Sequence, residues 1–159
     1  MEREISFELF NMQRVELPEN VETELGNLIE KLRQNLHDLL AAEQNSLSQA
    51  SLPETHGVYV LFFQEKMQYA GSSGNLSNRI KKNLLGGNRN SHTLINKLCT
   101  LRKKEAPDAV RWLKNNSNIK FTVTQKEEDA KILEDVLIAI YHPHFNTPLR
   151  TLKKLAVHG

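Results

Sequence analysis

The sequence predicts an α+β domain: a small three-stranded antiparallel sheet flanked by helices and preceded by a long amphipathic N-terminal helix. Two β-branched and aromatic segments, separated by a polar break at 64–66, predict a hairpin. A third segment, 119–124, alternates apolar and polar residues as a half-buried strand does. Helical spacing of apolar residues occurs on both sides of these strands, and this order of elements is typical of a sheet covered by helices.

The N-terminal third of the chain is predicted to be a helical extension, 1–53, with the main domain at 54–159. Residues 4–9 alternate weakly and predict a short strand. Pro18 then begins a stretch, 18–46, in which apolar residues form one face of a long helix. This apolar face needs a partner. The alternatives are packing on the main domain, a homodimer through this helix, or docking to a larger protein.

The hairpin itself is predicted from residues 57–63 and 67–70, which are rich in aromatic and apolar residues. A turn follows at 71–74, where the sequence reads Gly-Ser-Ser-Gly. A helix is then predicted over 75–85, because three apolar residues recur there at helical spacing and two glycines end the pattern.

The second half of the chain continues with helices around one more strand. Ser91 is predicted as the N-cap of a helix, and Pro107 begins another. The strand at 119–124 leads into a helix over 126–141, which Pro143 ends because proline cannot continue a helix.

The net charge of +2 conceals an uneven distribution of charge. Residues 1–56 hold 4 Lys/Arg against 11 Asp/Glu, whereas residues 72–120 hold 11 against 2. Such a basic block predicts a face that binds a polyanion, and the alternative is a set of solvated helix faces. The acidic segment, for its part, could cover the basic face and restrain activity. The predicted nucleic-acid contacts are Lys81, Lys82, Arg89, His92, Lys97, Arg102, Lys103 and Lys104.

Several other classes of protein and site are excluded by the sequence. No apolar run approaches the ~20 residues of a membrane span, the N-terminus lacks a secretory pattern, and a cytoplasmic protein is expected. The single Cys99 cannot form an internal disulfide or hold zinc. His142 and His144 flank a proline and make a poor zinc site, and 71–74 lacks the ending of a phosphate-binding P-loop.

Two short triplets and three later residues carry the strongest functional signal. The chain has Gly-Val-Tyr at 57–59 and Tyr-Ala-Gly at 69–71. Residues 69–80 read YAGSSGNLSNRI and residues 133–146 read LEDVLIAIYHPHFN. Over 57–147 this pattern resembles the GIY-YIG nuclease family, and its spacings resemble those of the bacterial excinuclease and phage homing-endonuclease members. The signature residues are Tyr59, Tyr69, Arg79, Glu134 and Asn146.

The resemblance implies a metal-dependent endonuclease that hydrolyses phosphodiester bonds in nucleic acid, with DNA favoured over RNA. Glu134 would hold one Mg²⁺ (or Mn²⁺), a hard cation that binds carboxylate oxygen and acts as a Lewis acid. Arg79 would bind phosphate. By resemblance Tyr59 is the general base and Tyr69 its hydrogen-bonding partner, while Asn146 fixes either the loop or the scissile phosphate.

Two positions depart from the family pattern. Asn83 stands where many members have Tyr, His or Lys, and Ser72 stands where some have Lys. His92 could supply the missing acid–base group. Asn83 keeps open a catalytically inactive nucleic-acid-binding module of the same fold, and a nuclease subunit that needs a partner is a further alternative. The sequence leaves repair, restriction, mobile-element and toxin roles open.

Overall fold

A computed structural model of the chain describes residues 16–157, with side chains as far as Lys154. The strand predicted at 4–9 lies outside the described residues. The chain divides into two compact units, one that ends at Lys31 and one that begins at Leu32. All of the predicted signature and nucleic-acid-binding residues belong to the second unit.

The described residues form helices and strands in the α+β order that the sequence predicts. The helices are α1 (Glu19–Ala41), α2 (Thr93–Arg102), α3 (Ala106–Asn116), α4 (Glu127–Tyr141) and α5 (Leu149–Val157). The strands are β1 (Asn45–Ser46), β2 (Gly57–Phe63), β3 (Lys66–Ser73) and β4 (Ser117–Val123). A π-helix covers Asn78–Leu84 and a 3₁₀ turn covers His144–Asn146.

The antiparallel sheet confirms the predicted fold class and adds one short strand to it. The strand order is β1-β4-β2-β3, and each neighbouring pair is antiparallel. The two-residue β1 lies shortly after α1, and it pairs with β4 through Asn45 and Ile119. A strand this short leaves no periodic pattern in the sequence, so it could not be predicted.

The β2–β3 hairpin has irregular backbone at its tip and near its middle. Gln64 and Glu65 form the two-residue turn with φ angles of 52° and 65°, a left-handed conformation that hairpin turns usually assign to Asn or Gly. Further along, Leu61 pairs with Tyr69 while the next residue of β2 pairs with Met67. Gln68 is therefore the extra residue of a β-bulge.

The central strand β2 is buried on both faces, which explains its unbroken apolar sequence. Alternate residues point to opposite faces of a sheet. Tyr59, Leu61 and Phe63 belong to a core shared with the π-helix, α2 and α3. Val58 and Val60 belong to a second core shared with α1 and α4. The same alternation in β3 places Tyr69 in the first core and Ala70 in the second.

Two predicted helix limits and the type of one predicted helix are corrected by the structure. The first helix ends at Ala41 rather than extending to residue 46. The helix predicted at 75–85 is mainly a π-helix, and its wider turn is marked by the bond from the Leu85 amide to the Ile80 carbonyl. The N-cap of α2 is His92 and not Ser91, because the Ser91 hydroxyl donates instead to the Asn83 carbonyl.

Among the helices of residues 16–157, none is both long enough and apolar enough to cross a membrane.

Candidate active site

The hairpin and the π-helix bring the two signature tyrosines and the arginine together. Tyr59 in β2 is fully buried and Tyr69 in β3 is 6 % exposed. Their ring centroids lie 6.1 Å apart. Arg79, on the π-helix, is close enough to both rings that its positive charge acts to lower the pKa of each hydroxyl. Three of the five signature residues thus form one cluster.

His92 joins this cluster from the N-terminus of α2. Its Nε2 lies 2.8 Å from the Tyr59 hydroxyl, and its Nδ1 accepts the Leu94 amide at 3.1 Å. Burial and the charge of Arg79 lower the pKa of His92 to about 3, so the ring is neutral at neutral pH. Because Nδ1 accepts a hydrogen bond, the neutral ring carries its hydrogen on Nε2. His92 therefore donates to the Tyr59 oxygen, and the Tyr59 proton points elsewhere.

Burial controls the acidity of the two tyrosines. It raises the pKa of Tyr59 well above the usual 10.0, with a further rise from Tyr69, although Arg79 opposes both. Burial also raises the pKa of Tyr69, where Arg79 again lowers it and Glu134 raises it. Tyr59 is thus held as a neutral phenol away from solvent, an environment that works against its expected role as the general base. Tyr69, by contrast, has a pKa on which the Glu134 carboxylate acts.

The last glycine of the second triplet allows Tyr59 to occupy its position. Gly71 pairs directly across the hairpin from Tyr59. A Cβ atom on Gly71 would lie 2.6 Å from both Cζ and the hydroxyl oxygen of Tyr59, closer than such atoms approach in real structures. The triplet is visible in the sequence, but the contact of Gly71 with Tyr59 could not be predicted from it, because glycine has no side chain that would indicate a role.

The carboxylate of Glu134, on α4, accepts a hydrogen bond from the Ser72 hydroxyl at the end of β3. The residue is half-buried. Within residues 16–154 no three His, Cys, Asp or Glu side chains cluster as a metal cage. A single carboxylate suits a hard cation such as Mg²⁺, which often takes one or two protein carboxylates and completes its shell with water and phosphate. From the sequence, Ser72 was only a departure from the lysine of some family members, and its hydrogen bond to Glu134 was not predicted.

Asn146 reaches the site through the backbone of β3. Its Oδ1 accepts the Ala70 amide at 2.8 Å, and its Nδ2 donates to the Ala70 carbonyl at 2.9 Å. Both ends of the side-chain amide are thereby engaged by the residue next to Tyr69. Of the two roles that the resemblance allowed, this geometry favours fixing the backbone over contact with the scissile phosphate.

The buried Lys97 supports the same loop. Its ammonium donates to the Phe145 carbonyl at 2.6 Å, and burial lowers its pKa. Lys97 and His92 were predicted to contact nucleic acid, yet only 7 % and 2 % of their surfaces are exposed. Their hydrogen bonds, to the Phe145 carbonyl and to Tyr59, serve the interior of the domain.

The other predicted contacts lie on the surface. Lys81, Lys82, Lys103 and Lys104 are exposed. Arg89 is exposed as well, but it donates to Asn96 and Thr100. Arg102 lies over the ring of Trp112, with its guanidinium carbon 3.8 Å from the ring centroid.

Arg79 has one hydrogen-bond donor that is not paired within the described structure. Its Nε is buried and has no hydrogen-bond partner within the described structure. Burial lowers the pKa of Arg79, but the two tyrosines raise it by more, so its charge is permanent. A buried donor without an acceptor is costly, and such groups are rarely left unpaired without a functional reason. An oxyanion of a substrate would satisfy it.

Asn146→Ala is expected to lower the free energy of unfolding by about 1–3 kcal/mol, because the Ala70 amide and carbonyl both lose their partner. Urea denaturation at neutral pH measures this. The control is Asn90→Ala at an exposed position, which should stay within about 0.5 kcal/mol of the parent protein. Equal effects at the two positions would show that the amide pairing adds nothing.

The stability of the domain is expected to fall as the pH drops below about 6.5. The folded pKa of His92 is about 3, against 6.5 for an unperturbed histidine. Between these values the unfolded chain binds a proton that the folded chain does not, so unfolding becomes more favourable. The loss at about pH 5 is roughly 2 kcal/mol, at about 1.4 kcal/mol per pH unit.

Urea denaturation of His92→Asn across the same pH range isolates this effect. Asparagine keeps the N-cap acceptor but does not titrate there. The variant should show a flatter pH dependence than the parent protein. Parallel curves for the two proteins would mean that other groups cause the acid sensitivity.

Part of this chain is similar to known proteins. No protein-family model matches the chain. UvrABC system protein C of Campylobacter jejuni is 35 % identical over 107 residues, which cover 63 % of this chain and 15 % of that protein. The same protein of Fusobacterium nucleatum is 30 % identical over 107 residues, 67 % of this chain and 15 % of its own length. The chain thus spans about 15 % of the length of the curated relatives it matches.

A solved structure also aligns with the chain. It is the GIY-YIG N-terminal endonuclease domain of UvrC from Thermotoga maritima, bound to magnesium as its catalytic divalent cation. That domain is 23 % identical, with a TM-score of 0.41, and the alignment covers 72 % of this chain and 97 % of that one. The curated relatives agree with the resemblance to bacterial excinucleases that the two triplets predicted.

Proposed function

We propose that this chain, which resembles the GIY-YIG nuclease family and has UvrC proteins as relatives, is a metal-dependent endonuclease that hydrolyses phosphodiester bonds in DNA. The observation that carries the proposal is the unpartnered, buried Nε of Arg79 beside two tyrosines. Glu134 completes the group, since its charge acts on Tyr69. A cation, two hydroxyls and a carboxylate are the groups that phosphodiester hydrolysis needs.

Arg79 holds the scissile phosphate in this proposal. Its guanidinium offers a permanent charge and two parallel donors, which match two phosphate oxygens. The neighbouring tyrosines raise its pKa, and burial strengthens each charge interaction by excluding water. The phosphate would accept the hydrogen bond that Nε lacks in the free protein.

Glu134 holds the divalent cation, with Mg²⁺ (or Mn²⁺) as the expected metal. When bound, the cation supplies positive charge that stabilises charge developing on the phosphate. Ser72 acts on the carboxylate itself, because its hydroxyl occupies one oxygen and fixes the orientation of the other. Partners of this kind change metal affinity or activity by about 10–100-fold in other proteins.

The two tyrosines divide the remaining work. Tyr59 is buried and accepts a hydrogen bond from His92, so its own proton is available for donation within the site. Tyr69 is the hydroxyl on whose pKa both Arg79 and Glu134 act. We assign to Tyr69 the contact with the attacking water and to Tyr59 the role of orienting Tyr69 and the phosphate. His92 fixes Tyr59 and is a positioning residue.

The exposed lysines extend this site into a DNA-binding face. Lys81 and Lys82 lie on the π-helix that carries Arg79, and Lys103 and Lys104 follow α2. Each phosphate that they neutralise releases counterions, so affinity should fall steeply with salt. The positive block of 72–120 outside the catalytic cluster supplies this non-specific attraction.

A cleavage assay tests the proposal. Supercoiled, linear, single-stranded and branched DNA, together with RNA, are incubated with the protein in Mg²⁺ or in chelator. Cleavage of DNA that requires the cation supports the endonuclease. Salt-sensitive binding without cleavage, in Mg²⁺ and in Mn²⁺, would instead favour the inactive binding module, for which Asn83 is the motivating residue, or a subunit that needs a partner.

A homodimer through the first half of α1 is a separate proposal. Val21, Leu25, Leu28 and Ile29 each remain 39–43 % exposed, at spacings that put them on one side of the helix. Sedimentation of the protein and of Leu25→Glu at several concentrations tests it. A monomer at every concentration would remove the dimer.

A further inference from the structure

We propose that the pocket at the tip of the β2–β3 hairpin binds one unpaired nucleobase of the substrate strand. Its lining residues are Phe63, Gln64, Gln68, Arg102, Trp112, Asn116 and Phe145. The proposal rests on the proposed function in one respect: it takes the ligand to be a nucleic acid. It adds the feature of the substrate that the protein recognises.

The size of the pocket suits one flat ring system. Its volume is about 180 Å³, smaller than the roughly 300–1,000 Å³ of sites for drug-sized ligands. At about 30 Å³ for each water, it holds about six waters. A nucleobase can exchange with water on this scale, whereas a whole dinucleotide or a folded peptide cannot.

Aromatic side chains and one arginine form the walls. Trp112 packs edge-on against Phe63, with ring centroids 5.1 Å apart, and Phe63 packs against Phe145 at 5.6 Å. Arg102 lies over the Trp112 ring and is itself exposed. Nucleobases stack on aromatic rings and on guanidinium planes, and each stacked base contributes about 1–3 kcal/mol.

Amide groups supply the hydrogen-bonding edge. In the described part of the chain the side chains of Gln64 and Gln68 make no hydrogen bond. Asn116 donates to the Trp112 carbonyl at 2.8 Å, which leaves its Oδ1 as an acceptor. An amide can pair with the donor and acceptor on the edge of a base, as glutamine and asparagine do with adenine.

The backbone departs from regular strand geometry at both Gln64 and Gln68. Gln64 has a φ of 52°, a conformation that a glycine or asparagine would adopt at lower cost. Gln68 is the extra residue of the β-bulge, and bulges turn a side chain away from its regular direction. Two unusual backbone conformations therefore bring two unpaired amides to one pocket.

The chain links this pocket closely to the catalytic cluster. Gln68 immediately precedes Tyr69, and Phe145 immediately precedes Asn146. A base held here would belong to a nucleotide near the scissile phosphate. Bases inside a duplex are stacked and paired, so the pocket accepts only one that is already unpaired or has been extruded. We therefore infer a preference for DNA with an unpaired nucleotide beside the cut.

Fluorescence of Trp112, the single tryptophan of the chain, reports on this pocket directly. The full chain is titrated in chelator, which prevents cleavage, with a DNA duplex that carries one unpaired adenosine and with its fully paired counterpart. We expect quenching of Trp112 by the first duplex, with affinity about 5- to 100-fold higher than for the second, in line with one stacked base. Adenosine monophosphate alone should bind far more weakly than the bulged duplex.

Gln68→Ala and Gln125→Ala form a matched pair of variants. The first removes an amide from the pocket, and the second removes an exposed glutamine elsewhere. Only the first should reduce the preference for the bulged duplex. Equal affinity for both duplexes without quenching would overturn the pocket proposal while leaving the endonuclease intact. Failure to bind either duplex would count against the proposed function as well, and tight binding of the free nucleotide would replace the DNA ligand by a small molecule.

Discussion

Glu134→Gln is expected to abolish metal-dependent cleavage while the protein stays folded and bound to DNA. Glutamine keeps the shape of the side chain and can still accept the Ser72 hydroxyl. It loses the negative charge that a hard cation requires. Metal-ion stabilisation contributes several kcal/mol to a hydrolysis, so the rate should fall on the order of 10³-fold or more. Initial cleavage rates at saturating DNA measure the change.

Asp135→Asn is the matched control for this variant. Asp135 is the next residue of α4 and is exposed. The variant therefore loses a carboxylate of the same helix that lies outside the site. Its cleavage rate should stay within a few-fold of the parent protein. A Glu134→Gln protein that still cuts at a comparable rate in Mg²⁺ would remove Glu134 as the metal-binding residue. Thermal unfolding of both variants establishes that neither change acts through the fold.

Gly71→Ala is expected to destabilise the domain and to inactivate it. The added methyl group would lie 2.6 Å from the Tyr59 hydroxyl, and Tyr59 is fully buried with its oxygen held by His92. The ring cannot move aside freely, so either the hairpin separates or Tyr59 leaves its position. Overpacking of this kind costs about 1–3 kcal/mol, or several degrees in Tm for a domain of this size.

Gly74→Ala provides the comparison for Gly71→Ala. It lies three residues further along, and a Cβ there meets the flexible carboxylate of Glu127 at 3.3 Å. Thermal unfolding and cleavage rates should change little in Gly74→Ala and strongly in Gly71→Ala. If Gly71→Ala unfolds like the parent protein and remains active, the contact with Tyr59 does not hold the site.

The sequence predicted the fold because its signals are local and periodic. The hairpin, β4 and α4 each repeat apolar residues at the spacing of their own structure, and all were found close to their predicted limits. The π-helix was predicted as an ordinary helix, since Leu76, Ile80 and Leu84 fit both kinds of turn. Its wider turn depends on tertiary packing that no local pattern records.

The candidate site was predicted in part, for a related reason. Tyr69, Arg79 and Glu134 were predicted because they stand at the positions and spacing of the family pattern that the chain resembles. The residues that hold them in place give no such signal of their role. Ser72 and Gly71 act through contacts with residues distant in sequence. His92 and Lys97 were expected at the surface because their type is basic, whereas packing turned both inward.

The pairing of Asn146 with Ala70 also has a consequence for self-association. Strand β3 lies at the edge of the sheet, where unpaired backbone groups invite a strand from another molecule. The Asn146 side chain presents the same donor and acceptor as a peptide group, and it occupies the edge at the residue between Tyr69 and Gly71. One side-chain amide thus takes the place that a peptide group of an added strand would need at Ala70. The hairpin can stay at the edge of the sheet with this position closed to pairing by a strand of another molecule.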